Sequence, residues 1–148
     1  MESPVIFPFQ IHSIHNEYNM KKSIKILLVE DEAVTAMWLD KEFKRAGYNV
    51  FKWVVTGEEA VKSAEQDHPD LIAMDIRLGG KVDGIEIARQ ISSRFNIRIL
   101  FITGYQNQDF INRAKALNPI GYFIKPLDFA KIKTAIDSAF RSNKKLRR

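Results

Sequence analysis

From Ile24 onward, two kinds of apolar pattern alternate along the chain. Short continuous runs have the length and β-branched content of strands buried on both faces. They are Ile24-Lys25-Ile26-Leu27-Leu28-Val29, Leu71-Ile72-Ala73-Met74, Ile97-Arg98-Ile99-Leu100-Phe101-Ile102 and Ile120-Gly121-Tyr122-Phe123-Ile124. Another strand is expected over 49–55. Between the strands, apolar residues return at helical spacing. The first helix is expected over 33–46, with Ala36, Leu39, Phe43 and Ala46 on one stripe and Gly47 as its stop. The second opens at Thr56-Gly57-Glu58-Glu59, a capping-box pattern, and the third at Asp83-Gly84-Ile85-Glu86, burying Ile87, Ala88 and Ile91. The fourth, over 107–117, turns Phe110, Ala114 and Leu117 inward. The fifth follows Pro126, is capped by Asp128, and aligns Phe129, Ile132, Ile136 and Ala139. Five βα units predict an α/β fold: a doubly wound parallel sheet of five strands with helices on both faces.

Composition narrows the function classes. The chain has 148 residues, enough for one domain, with 45% hydrophobic and 28% charged positions. It has no cysteine, which excludes disulfides and thiolate metal sites. No apolar run is long enough for a membrane span, and the first residues do not read as a secretory signal, so a cytoplasmic protein is expected. Residues 1–22, with Pro4 and Pro8, read as a poorly ordered extension, and Met20 is a second candidate start. The domain is expected over 23–141 and a basic tail over 142–148. The net charge of +5 is a tail property: five basic groups fall in the last eight residues, leaving 18 basic and 18 acidic groups in the other 140. The tail reads as a solvated helix end whose cations suit the C-terminal dipole.

What ends each strand matters more. The runs stop at Glu30-Asp31, at Asp75, at Thr103-Gly104 and at Lys125-Pro126. In a parallel sheet with right-handed crossovers, all strand C-termini lie at one edge, where such folds bind ligands. Three carboxylates meeting there repel one another unless a cation intervenes. Mg²⁺ suits them, because it takes oxygen ligands and keeps positions for phosphate oxygens. A lysine can pair with one phosphoryl oxygen, and a threonine hydroxyl can bond another. A carboxylate can be the nucleophile, giving an acyl phosphate. Asp75 is the candidate for that role.

These motifs, with Asp83-Gly84 and Tyr122-Phe123-Ile124-Lys125-Pro126 in the same order and at similar separations, give residues 24–140 a resemblance to the receiver domain of two-component response regulators. The resemblance implies a flavodoxin-like strand order, 2-1-3-4-5. It implies that Asp75 is the phosphoacceptor, and that Asp31, Asp75, the Arg77 backbone carbonyl and Glu30 bind Mg²⁺. Glu30 stands where an aspartate is usual and is expected to reach the metal through water. Thr103 and Lys125 would contact the phosphoryl group, and Tyr122 would be the switch aromatic. The Lys125–Pro126 peptide would be cis. Gly79 occupies a position that often carries proline. The implied partners are a sensor histidine kinase or histidine phosphotransfer protein upstream and a protein effector downstream, with a homodimer as an alternative assembly.

Three rival readings are weaker. A phosphatase of the haloacid-dehalogenase type needs an acid two residues after its nucleophile, and here that residue is Arg77. Direct DNA binding would rest on a short tail attached to a neutral body. A protein-binding module without chemistry would not need the complete set of acids, hydroxyl and lysine. The reading is therefore a phosphorylation-controlled switch, not an enzyme beyond gaining and losing its own phosphoryl group. Trp38 and Trp53 are expected to be packing groups, and His12, His15 and His68 have no ligand-like partners.

Overall fold

Alternate residues of each central strand face opposite layers, and both layers are apolar. The computed structural model describes residues 23–146, with side chains to Arg141. The expected extension over residues 1–22 lies outside the described residues, as do the tail's side chains. Five strands form one sheet: β1 (Lys25–Val29), β2 (Asn49–Val54), β3 (Leu71–Asp75), β4 (Arg98–Thr103) and β5 (Gly121–Ile124). Every neighbouring pair is parallel and the order is β2-β1-β3-β4-β5, as expected. The helices are α1 (Ala33–Arg45), α2 (Gly57–Asp67), α3 (Gly84–Arg94), α4 (Gln108–Lys115) and α5 (Phe129–Leu146).

One layer packs Leu27, Val29, Ile72, Met74 and Phe101 against Ala60 and Ala64 of α2, Ile87 and Ile91 of α3 and Ala114 of α4. The other packs Ile26, Leu28, Ala73, Leu100 and Ile102 against Ala36, Leu39 and Phe43 of α1 and Ile132 and Ile136 of α5. The period of two sends consecutive strand residues into opposite cores, which is why these strands read as unbroken apolar runs.

Local chemistry sets the helix starts. Thr56 Oγ1 accepts from the Glu59 N–H at 3.2 Å, and its hydroxyl donates to the Glu59 carboxylate at 2.9 Å. Asp83 Oδ1 accepts from the Glu86 N–H at 2.9 Å. Asn107 caps α4, and Asp128 Oδ1 accepts from the Ala130 N–H at 3.1 Å. Each such cap is worth about 1 kcal/mol. Gly47, just past α1, has φ 95°, a region in which a side chain would be strained. His68 ends α2 in the left-handed region, exposed to solvent. The Lys125–Pro126 peptide bond is cis, as expected.

Sheet register prepares the site. Val29 pairs with Met74, so Glu30 emerges beside Asp75. Asp75 pairs with Ile102, so Thr103 lies one residue further on, and Thr103 pairs with Ile124, so Lys125 lies one further still. Four neighbouring strands thus deliver their terminal groups to one edge in a staircase.

Candidate functional site

Asp75 and Thr103 are the last residues of their strands rather than the first of their loops. Strand hydrogen bonding therefore fixes their backbones, and both side chains are buried, at 5% and 0% exposure. Asp75 Oδ1 accepts from the Arg77 N–H at 3.2 Å, which orients the carboxylate. Its Oδ2 lies 3.8 Å from Lys125 Nζ. Carboxylate oxygens of Glu30, Asp31 and Asp75 lie within 4.8 Å of one another, a grouping that could hold a metal ion.

The members of this trio sit in different surroundings. Asp31 is exposed, whereas Glu30 is 1% exposed. Glu30 Oε2 accepts from the Glu32 N–H at 3.2 Å, while Oε1 has Lys125 Nζ at 3.0 Å but no hydrogen-bond partner among the described residues. A buried carboxylate oxygen left in this state suits a cation and its waters. Hard oxygen donors crowded at one edge fit Mg²⁺ better than a soft metal.

Electrostatics follow from the crowding. Burial, reinforced by the adjoining Glu30 carboxylate, pushes Asp75 up to about 8, against the pull of Lys125 and the Arg77 N–H. Burial alone would lower the Lys125 pKa, but Glu30, Asp75 and Glu32 together raise it, so the lysine is a persistent cation. Its peptide N–H also donates to the Thr103 carbonyl at 2.8 Å, which ties the lysine's backbone to β4.

Thr103 Oγ1 accepts from the Tyr105 N–H at 3.2 Å. Tyr122 is half-buried; its hydroxyl donates to the Tyr105 carbonyl at 3.2 Å, and its ring packs against Phe101 with centroids 6.3 Å apart. The Arg77 guanidinium lies 4.6 Å from the centre of the Tyr105 ring. The loops after β3 and β4 are therefore bridged through Tyr105.

Three further contacts have no sequence motif to announce them. Trp53 is 42% exposed rather than core, and its Nε1–H donates to the Glu30 carbonyl at 2.7 Å, steadying the acidic loop from the edge strand. Asp83 caps α3 and also accepts both arms of Arg113, at 2.8 and 3.2 Å, linking α4 to the end of the loop that follows β3. Glu32 reaches Lys125, with Oε1 3.8 Å from Nζ.

Gly84 supports the site from beneath. Its N–H donates to the Ile76 carbonyl at 2.7 Å, and a Cβ there would stand 2.0 Å from the Asp75 carbonyl oxygen and 2.9 Å from Ile76 Cα. Both are backbone atoms and cannot swing away. Gly84→Ala is expected to lower unfolding free energy by at least about 2 kcal/mol in urea denaturation, because α3 must separate from β3. An alanine variant as stable as the native protein would show that this contact is slack.

A family model for the response regulator receiver domain matches residues 26–137. The transcriptional regulatory protein PdtaR of Mycobacterium tuberculosis is 32% identical over 115 residues, covering 78% of this chain and 56% of PdtaR. The chain thus spans about half the length of that relative. Sporulation initiation phosphotransferase F of Bacillus subtilis is 33% identical over 113 residues, covering 76% of this chain and 90% of that protein. Among solved structures, the signal receiver domain of a modulated diguanylate cyclase from Desulfovibrio desulfuricans superposes with TM-score 0.76 at 36% identity, covering 84% of this chain and 98% of that one. The CheX–CheY–BeF3–Mg complex from Borrelia burgdorferi gives TM-score 0.71 at 26% identity, covering 79% and 89%. The topology, the acidic strand edge and these matches agree: the chain belongs to the response regulator receiver domains of two-component signalling.

Proposed function

We propose that Asp75 accepts a phosphoryl group from the phosphohistidine of a sensor histidine kinase or histidine phosphotransfer protein. An Asp75 carboxylate oxygen forms the new O–P bond as the donor's P–N bond breaks, and the imidazole leaves with its electron pair and takes up a proton. The observation carrying this reading is the convergence of Asp75, two further carboxylates and the Lys125 ammonium at one strand edge. Asp31, Asp75, the Arg77 backbone carbonyl and, through water, Glu30 would hold Mg²⁺. The chemistry this ion supplies when bound is charge neutralisation around the transferring group. Lys125 and Thr103 would each engage one phosphoryl oxygen.

The resting contacts supply a switch. Drawing Thr103 Oγ1 toward a phosphoryl oxygen removes the acceptor of the Tyr105 N–H and disturbs the carbonyl that holds the Tyr122 hydroxyl. Tyr122 then turns inward, and the surface of α4, β5 and α5 changes for a protein effector. Arg77 stands where a hydrolytic acid would be needed, so the site holds its phosphoryl group rather than turning over substrate. Such signalling places the chain in the cytoplasm; no described helix is long and apolar enough to cross a membrane.

The test is incubation with Mg²⁺ and a small acyl-phosphate donor, read by intact mass. The expected result is one phosphoryl increment that disappears when EDTA removes the metal. No increment in the native protein overturns the proposal.

A further inference from the structure

Glu32 is the residue immediately before α1. A short polar side chain there, Ser, Thr, Asp or Asn, ordinarily turns back to accept N–H groups of its own helix. The Glu32 side chain makes no such bond. Its Oε1 instead accepts the Thr35 hydroxyl proton and lies 3.8 Å from Lys125 Nζ. Its side chain is 61% exposed, against 1% for Glu30, so it stands at the mouth of the acidic pocket rather than within it. Beyond it, Thr35 and Lys125 line a cleft with Val34, Trp38, Pro126 and Leu127.

Lys125 thus has three resting carboxylate neighbours, at 3.0 Å (Glu30), 3.8 Å (Glu32) and 3.8 Å (Asp75). Glu30 and Asp75 belong to the buried trio. Glu32 alone of the three is exposed and lies outside it. We infer that Glu32 is a specificity-determining residue for the phosphoryl donor: its carboxylate holds Lys125 at rest, repels anionic donors, and is exchanged for a phosphoryl oxygen when the acyl phosphate forms. Thr35 is its positioning residue. The exchange breaks no covalent bond. It disfavours small dianionic donors, which bring only negative charge to the mouth. It favours donors carrying a cation or hydrogen-bond donor beside the phosphoryl group, which can take over Glu32 as Lys125 leaves it. The inference rests on Asp75 being the acceptor.

The test compares initial rates of phosphoryl gain at saturating Mg²⁺ for the native protein, Glu32→Gln and Thr35→Val. Acetyl phosphate serves as the dianionic donor, and phosphoramidate as the donor with a protonated nitrogen beside phosphorus. Removing one charge close to the reacting group is expected to speed the acetyl phosphate reaction of Glu32→Gln about fivefold at low ionic strength. The gain should largely vanish near about 1 M salt, where screening is nearly complete. It should be smaller with phosphoramidate, and Thr35→Val should shift the rate the same way by less. A Glu32→Gln rate at or below native at low salt overturns the inference, as does a gain that salt does not diminish, which would mark a structural effect. Native protein that gains no phosphoryl group at all overturns instead the acceptor role beneath it.

Discussion

Asp75→Asn is expected to abolish phosphoryl gain, lowering the rate with any donor by at least about a thousandfold. Asparagine has nearly the same shape and can keep the bond from the Arg77 N–H, so the fold is preserved. Its amide is not a nucleophile, however, and the anionic oxygen that would bond phosphorus is gone. The buried position leaves no substitute at the same place: Glu30 is ion-paired with Lys125 and accepts from the Glu32 N–H. Asp31 is exposed and follows β1 rather than ending β3. The check is intact mass after incubation with Mg²⁺ and donor. Undiminished gain in the variant would place the acceptor elsewhere.

The same substitution should stabilise the metal-free protein. Asp75 holds its proton up to about 8 when folded, whereas an unfolded aspartate loses it near its ordinary value. Below about pH 4 both states are protonated and the group contributes nothing. Between about pH 4 and 8 the unfolded chain releases the proton while the native state retains it, so stability falls as pH rises. Above about pH 8 the full penalty of an ionised, buried aspartate beside Glu30 remains. Asparagine removes that penalty. In EDTA, Asp75→Asn is expected to exceed the native protein by on the order of 3–5 kcal/mol at about pH 8.5, with the difference vanishing toward about pH 4. Mg²⁺ should narrow the gap by stabilising the native trio more than the variant. Urea melts across pH measure this directly. A variant no more stable than native at high pH would mean that the trio is not repulsive.

The strands, the helix starts and the site's members were legible because each rests on local chemistry. Buried parallel strands read as unbroken apolar runs, and Thr56, Asp83 and Asp128 cap their helices with their own side chains. Parallel topology then turns strand ends into neighbours, so the sequence alone groups Glu30, Asp31, Asp75 and Lys125. What was hidden depends on side chains meeting across the fold. Asp83 announces itself as a cap, and that role masks its bidentate partner Arg113, which lies on another helix. Trp53 reads as an ordinary apolar residue of a strand, yet on an edge strand it is half-exposed and gives its indole N–H to Glu30. Glu32 stands just before α1, and no motif marks its approach to Lys125. β3 and β4 each end one residue beyond their apolar runs, because Asp75 and Thr103, although polar, complete their ladders.

The position of the phosphoryl group is directly measurable. Borohydride reduces an aspartyl phosphate to homoserine, leaving a mark that survives digestion. After phosphorylation with Mg²⁺ and an acyl-phosphate donor, reduction and peptide sequencing by mass spectrometry should find homoserine at position 75 and at no other acid. Homoserine at Asp31, reduction products at a glutamate, or no reduction product from protein that carries the phosphoryl increment, would contradict the assignment of Asp75.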